Sequence, residues 1–329
     1  MNIAQMPATM TSRLTEKLGI QLPSAEQKLI LNWKNDHAVS VWIKRDDLIH
    51  PIISGNKWRK LSKTLLSSAQ SPPANIISFG GGHSNHLHAL GFCCHKLEIP
   101  LVAIIRGDYS QHMTPMLNDL KRWGATIEWV NKVTYAQRTE ASYLEHLKGR
   151  HPNSLIIPEG GSHFEALDGV ASIVTELTQE YDVIIAPVAS GGTLAGLIQG
   201  VQNKPSKVLG IGVLKGHDYL YQLVNQFLPK QGKQQPSEQA AWQINSDFHF
   251  GGYAKTTPEL VTFCEQFEQD THIALEPIYS GKLFWGLRHL IENNHFPQGS
   301  KILALHTGGL QGKRGQQPAK TIRKQDAMD

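Results

Sequence analysis

The sequence predicts an α/β fold made of two open, twisted, mainly parallel-sheet domains. Three observations lead there. Short Val- and Ile-rich runs recur along the chain, segments of helical length separate most of them, and glycine-rich turns follow several of the runs. Runs of this kind read as strands buried on both faces. Their alternation with helices marks βαβ units. A chain of 329 residues has room for about two domains, each with a core of its own.

In order, the strand-like runs cover residues 41–43, 76–79, 101–105, 127–130, 155–157, 183–188, 208–213 and 302–305. Helices are expected at residues 58–68, 85–97, 116–123 and 164–180. The uncharged stretch 183–203 is long enough to raise the question of a membrane helix, but Pro187 and the Ser190-Gly191-Gly192 break favour strand, turn and helix. Residues 228–243 are polar and turn-rich and read as a surface excursion, because strands and helices resume beyond them. Glycine and proline punctuation puts breaks near residues 49–54 and 158–162. The division expected is a discontinuous larger domain, residues 1–48 with 158–329, and a smaller one, residues 49–157.

Composition removes several classes of function. A net charge of +4 is too small and too scattered to argue for nucleic acid or an anionic membrane. The basic residues Lys313, Arg314, Lys320, Arg323 and Lys324 lie in a Gln- and Pro-containing stretch and read as a solvated end. Cys93, Cys94 and Cys264 form no CxxC pair and no disulfide framework, which fits a reduced, cytoplasmic setting. The first residues lack a basic start followed by an apolar block, so no signal peptide is expected. His83, His86 and His88 are too irregularly spaced for one helix face, so no metal site is expected. No Ser-His-Asp arrangement announces a hydrolase.

Four glycine-containing turns could carry chemistry. In Ser54-Gly55-Asn56-Lys57, Gly55 permits an unusual backbone angle, Asn56 is a candidate cap, and a helix follows. A lysine there faces the positive end of the helix dipole, which favours a neutral, nucleophilic amine. Taken alone, the same residues suit a solvated lysine after a turn. In Gly80-Gly81-Gly82-His83-Ser84-Asn85, three glycines let backbone approach a ligand beside Ser84 and Asn85, or simply make a flexible turn. Ser190-Gly191-Gly192-Thr193-Leu194 follows an apolar strand and opens a helix. Its backbone N–H groups and hydroxyls suit a phosphate dianion, although it is neither a Walker loop nor a GxGxxG turn. The last turn, His306-Thr307-Gly308-Gly309, follows a strand, and upstream of it Tyr279 and Ser280 could flank a flat ring or merely pack and cap.

Taken together and in order, these turns resemble the pyridoxal-phosphate enzymes that include D-cysteine desulfhydrase and 1-aminocyclopropane-1-carboxylate deaminase. That group belongs to the tryptophan-synthase-β-like fold, fold type II. The matching runs are Ile43-Lys44-Arg45-Asp46-Asp47, Gly55-Asn56-Lys57-x-Arg59-Lys60-Leu61, Gly81-x-x-Ser84-Asn85, Pro158-Glu159-Gly160-Gly161, Ser190-Gly191-Gly192-Thr193, Pro277-x-Tyr279-x-Gly281-Lys282 and His306-Thr307-Gly308-Gly309. The resemblance implies that Lys57 carries pyridoxal 5'-phosphate as a Schiff base. It implies that Asn85 bonds the cofactor's phenolic oxygen and that Ser190, Gly191, Gly192, Thr193 and Leu194 hold its phosphate. Tyr279 would lie against the pyridine ring, Ser280 would face its nitrogen, Thr307 would stand nearby, and Ser84 and Tyr253 would stand near the substrate. It also implies that the cofactor sits in the cleft between the domains, with the larger domain binding it, that a small amino acid is the substrate, and that the protein is a homodimer.

Two positions bear on which reaction to expect. The deaminases place Glu where this chain has Ser280 and Leu where it has Thr307. A carboxylate keeps the pyridine nitrogen protonated, whereas a serine hydroxyl can only hydrogen-bond a neutral nitrogen, giving a weaker electron sink that suffices for β-elimination. The expectation is therefore a β-eliminating lyase that converts D-cysteine to pyruvate, sulfide and ammonia. The alternatives are 1-aminocyclopropane-1-carboxylate deamination, a pyridoxal-phosphate-binding protein without this activity, and a phosphate-binding module without pyridoxal. Trp58, Ser54, His83 and His86 depart from the family pattern and bear on substrate choice.

Overall fold

A computed structural model describes residues 8–228 and 241–314. Helix α1 (Ala8–Leu18) precedes an antiparallel pair, β1 (Glu26–Leu29) and β2 (Ser40–Lys44). After α2 (Asn56–Gln70) the chain alternates through β3 (Asn75–Gly81), α3 (Asn85–Leu97), β4 (Leu101–Arg106), α4 (Pro115–Arg122) and β5 (Thr126–Val130). Then come α5 (Lys132–Ala136), α6 (Ala141–Arg150), β6 (Ser154–Ile157) and α7 (Phe164–Thr175). The remainder holds β7 (Val183–Val188), α8 (Gly192–Gly200), β8 (Lys207–Gly212), α9 (His217–Asn225), β9 (Trp242–Asn245), α10 (Pro258–Thr271), α11 (Ser280–Glu292) and β10 (Lys301–Leu305).

The strands form two sheets. One has the order β5-β4-β3-β6, all parallel, and the other β1-β2-β10-β7-β8-β9, parallel except for β1. Two-residue periodicity splits β10 between two cores. Ile302 and Ala304 pack with Leu283, Phe284 and Leu287 of α11, while Leu303 and Leu305 pack with Val170 and Leu197 of α7 and α8. Both faces of the large sheet are therefore covered, which is why β7 is apolar at every position. The small sheet is covered on one face by α2, α3 and α4, and Leu14 and Leu18 of α1 join that core. Tyr135 of α5 and Leu147 of α6 close its other face.

The eight expected strands are all present. The helix expected to reach residue 180 stops at Thr175, and the next residue, Glu176, caps it and accepts from Arg59 through its carboxylate. The span read as an excursion ends earlier than expected, since β9 begins at Trp242, and residues 229–240 lie outside those described. Residues 183–203 are β7, a turn and α8, and no described helix is long and apolar enough to cross a membrane.

Candidate active site

Helix α2 begins where the chain passes tightly under the end of β10. Gly55, at φ 67°, is the cap residue, and a Cβ there would lie 1.8 Å from the Thr307 carbonyl oxygen. Only glycine fits. Asn56 does not cap the helix. Its amide donates to Thr193 Oγ1 at 2.8 Å while its carbonyl oxygen accepts from Lys57 Nζ at 2.8 Å. Lys57 is thereby tied to the first turn of α8. Burial lowers its ammonium to about 8, against the opposing pull of Glu276.

Below Lys57, α2 is bolted to the fold by ions. Arg59 donates to both oxygens of Asp46, at 2.8 and 3.0 Å, and to Glu176 at 2.9 Å, with Ser24 completing the cluster. Lys44 lies within 3.5 Å of Glu176 and donates to the Ser24 carbonyl. Lys44, Asp46 and Arg59 are thus part of a buried framework that holds α2 in place, away from the chemistry.

The third glycine-rich turn opens α8. Its first intrahelical bond runs from Ala195 N to Gly191 O at 2.9 Å, which leaves the N–H groups of Gly192, Thr193 and Leu194 without intrahelical acceptors. Facing this end is Lys60, buried, donating to Ser162 Oγ at 2.9 Å and Ser190 Oγ at 3.3 Å. Among the described residues it has no carboxylate partner. Burial, and then the neighbouring Lys57, push its ammonium well below its ordinary range. A buried lysine that donates to two hydroxyls, beside a second lysine and with no carboxylate partner among the described residues, lacks an anion. A phosphate supplies that anion, so the residues present fit a phosphorylated cofactor whose reactive carbon meets Lys57.

The second turn brings in α3. Ser84 is its cap, with Oγ accepting from Leu87 N at 3.2 Å. Asn85 Oδ1 accepts from Gln311 Nε2 at 2.5 Å. His86 is buried, with Nε2 2.8 Å from Ser78 Oγ. Because Ser78 donates to the Ile157 carbonyl, Nε2 carries the proton and Nδ1 is bare. Burial, then Lys57 and Lys60, hold this imidazole well below its ordinary range, so it is neutral. His88 pairs with Asp119 at 3.0 Å, and His83 is exposed.

The fourth wall is the start of α11. Tyr279 donates to Tyr253 across 3.1 Å, and Tyr253 stands more than half exposed beside it. Lys282 pins the Tyr253 loop by donating to the His249 and Gly252 carbonyls, each at 2.8 Å. Ser280 is fully buried. Its hydroxyl accepts from Glu276 N at 2.9 Å and lies 3.1 Å from Glu276 O and 3.2 Å from Glu276 Oε1. The Glu276 carboxylate also accepts backbone N–H bonds from Ile278, Tyr279 and Ser280, at 2.7, 2.9 and 2.6 Å. Burial nevertheless raises it to about 7.

Contacts join these walls. Thr193 reaches Lys57 through Asn56, and Thr307 lies over Gly55. A Cβ at Gly309 would sit 3.0 Å from Asn85 Nδ2 and 3.4 Å from Glu276 Cγ. Lys57, Ser84, Asn85, the 190–194 turn, Tyr279, Ser280 and Thr307 thus border one region, with Tyr253 at its mouth. Sequence reasoning did not select Lys60, Ser162, Glu276 or Gln311 as site residues, and it gave Asn56 the wrong task. Lys60 was legible in principle, one helical turn beyond Lys57. Glu276 was also legible, as a carboxylate just ahead of a helix start. Ser162 and Gln311 carried no local signal.

Two mainly parallel sheets, a half-buried lysine of lowered pKa and an anion cradle define a class: enzymes that hold a phosphorylated aldehyde cofactor on a lysine. The family model described as "Pyridoxal-phosphate dependent enzyme" matches residues 29–308, and the chain belongs to that family. Its cofactor is pyridoxal 5'-phosphate, and within the family it falls in the group of D-cysteine desulfhydrase and 1-aminocyclopropane-1-carboxylate deaminase. A solved structure described as an ACC deaminase homologue is 29% identical, with a TM-score of 0.74, covering 94% of this chain and 97% of that one. A Pyrococcus furiosus protein provisionally assigned as a 1-aminocyclopropane-1-carboxylate deaminase is 30% identical, covering 83% of this chain and 85% of its own. An Arabidopsis thaliana protein named a bifunctional D-cysteine desulfhydrase/1-aminocyclopropane-1-carboxylate deaminase, mitochondrial, is 28% identical over 84% of this chain and 74% of its own.

Proposed function

We propose that the chain is a β-eliminating lyase that takes D-cysteine or a close analogue, with one water, to pyruvate, hydrogen sulfide and ammonia. The observation that carries this reading is the start of α11, where a buried serine, Ser280, stands at the position that the deaminases fill with a carboxylate. Thr307 at the end of β10 points the same way. Pyridoxal phosphate, when bound, supplies the electron sink that makes the substrate Cα proton acidic. Lys57 would hold the cofactor, and its Nζ is the atom placed to take that proton. Its lowered pKa keeps a neutral amine available near neutral pH. Lys60 and the first turn of α8 would hold the phosphate, and Asn85 would donate to the phenolic oxygen. Tyr279 would lie against the ring, and Ser84 and Tyr253 would stand near the substrate. The preference for the D isomer follows the Arabidopsis relative's name. The division into residues 1–48 with 158–329 and 49–157, a homodimer and a cytoplasmic setting belong to the same proposal.

A second reading, deamination of 1-aminocyclopropane-1-carboxylate, has one observation in its favour. Glu276 Oε1 lies 3.2 Å from Ser280 Oγ, so a carboxylate is present one hydroxyl away. Purified protein loaded with pyridoxal phosphate decides between the two. Sulfide and pyruvate from D-cysteine, at a rate well above ammonia release from the cyclopropane, support elimination. The reverse ratio selects the deaminase. Release from neither, nor from a broad amino-acid panel, overturns both.

A further inference from the structure

We infer that Gln311 is a positioning residue that sets which end of the Asn85 amide faces the cofactor. The inference rests on the proposed placement of Asn85 at the cofactor's phenolic oxygen. Asparagine oxygen and nitrogen are hard to tell apart by shape, so their assignment must come from the partners. Here the partners decide it. Gln311 Nε2 donates one hydrogen to the His83 backbone carbonyl at 3.2 Å, and a backbone carbonyl can only accept. That contact makes the Gln311 atom a nitrogen. Its second hydrogen goes to Asn85 at 2.5 Å, so the Asn85 atom facing it must be Oδ1. Asn85 Nδ2 is therefore turned to the other side, where it takes no partner among the described residues and passes close to Gly309, whose φ of 95° lets the backbone run beside it. An unpartnered N–H donor is the group that an anionic phenolic oxygen requires.

The same segment is anchored a second time. Gln311 lies on the 3-10 turn Leu310–Lys313, and Arg314 follows three residues later, one full turn on. Arg314 Nη2 donates to Asp119 Oδ2 at 2.6 Å and lies 3.1 Å from His88 Nε2. His88 is three residues beyond Asn85 on α3 and so on the same face. Two matched spacings lay the segment after β10 along α3, and the short Gln311 side chain is held where it can reach Asn85. Arg314 thus makes an ionic contact where a solvated end was expected, and Lys320, Arg323 and Lys324 lie outside the described residues.

The test compares Gln311→Ala and Gln311→Glu with the wild type, alone and in an Asn85→Ala background. Two quantities are read: the dissociation constant of pyridoxal phosphate from the apo-protein, and the pH titration of the bound cofactor's visible band. Losing one hydrogen bond to a positioned donor weakens cofactor binding by roughly three- to tenfold. Gln311→Ala is expected to show that loss. Gln311→Glu keeps size and shape but can only accept, so it draws Asn85 Nδ2 toward itself and turns Oδ1 to the phenolic oxygen. It is expected to bind less tightly than the alanine variant and to shift the band's titration, which a packing role would not do. Neither substitution should matter once Asn85 is alanine. Equal or tighter binding by Gln311→Glu relative to Gln311→Ala, or an effect that persists without Asn85, overturns the inference. If Asn85→Ala alone leaves affinity and band unchanged, the placement of Asn85 is what fails, and the inference with it.

Discussion

Lys57 and Glu276 show how far a single residue can be read before its neighbours are known. Local sequence marked Lys57 as a lysine at a helix start and, taken alone, favoured a solvated side chain. Burial and the bond to Asn56 decide for the amine. Glu276 was not selected, because its role depends on the turn that folds Ile278, Tyr279 and Ser280 back onto its carboxylate. Burial raises this group from 4.5 to about 7 even though those N–H bonds oppose it. A carboxyl whose folded pKa is raised contributes stability that is fully present below its unfolded pKa and lost as pH rises to the folded one. Glu276→Gln removes that dependence. Wild-type stability relative to this variant should therefore fall by about 3 kcal/mol between pH 4 and pH 8, as judged by urea unfolding at both ends. A constant difference would mean that Glu276 titrates normally.

At the scale of elements, strands buried on both faces were easy to find and half-exposed ones were not. β7 is six buried residues in a row, whereas β1 buries one residue of four and β9 carries a Trp, a Gln and an Asn around its one buried Ile244. α7 was expected to reach residue 180 but ends at Thr175, and Glu176, next along, joins a tertiary ion cluster. That cluster also holds α2, the element that carries both Lys57 and Lys60. Arg59→Met would leave Asp46 and Glu176 facing each other without their guanidinium. Removing one partner of a buried ion cluster costs about 3–5 kcal/mol. Thermal unfolding should register a loss of that size, with cofactor affinity falling as α2 loosens. A change below about 1 kcal/mol would show that Lys44 alone can hold the two carboxylates.

The whole molecule draws its site from both sheets, and this decides what sequence can reveal. Gly55, the Gly81–Asn85 turn, the 190–194 turn and the end of β10 were legible because each is local and their order is specific to the family. The contacts that complete them join distant positions, such as Lys60 with Ser190, 130 residues apart, or Gln311 with Asn85, 226 apart. No local pattern encodes such pairs. The result is two lysines one helical turn apart, both with lowered pKa, of which one is assigned to the cofactor's carbon and the other to its phosphate. Borohydride reduction of the pyridoxal-phosphate-loaded protein, followed by mapping of the modified peptide, separates the two roles directly. The expected result is a single modified lysine at Lys57, with Lys60 unmodified. Attachment at Lys60, or no covalent attachment, would contradict the assignment.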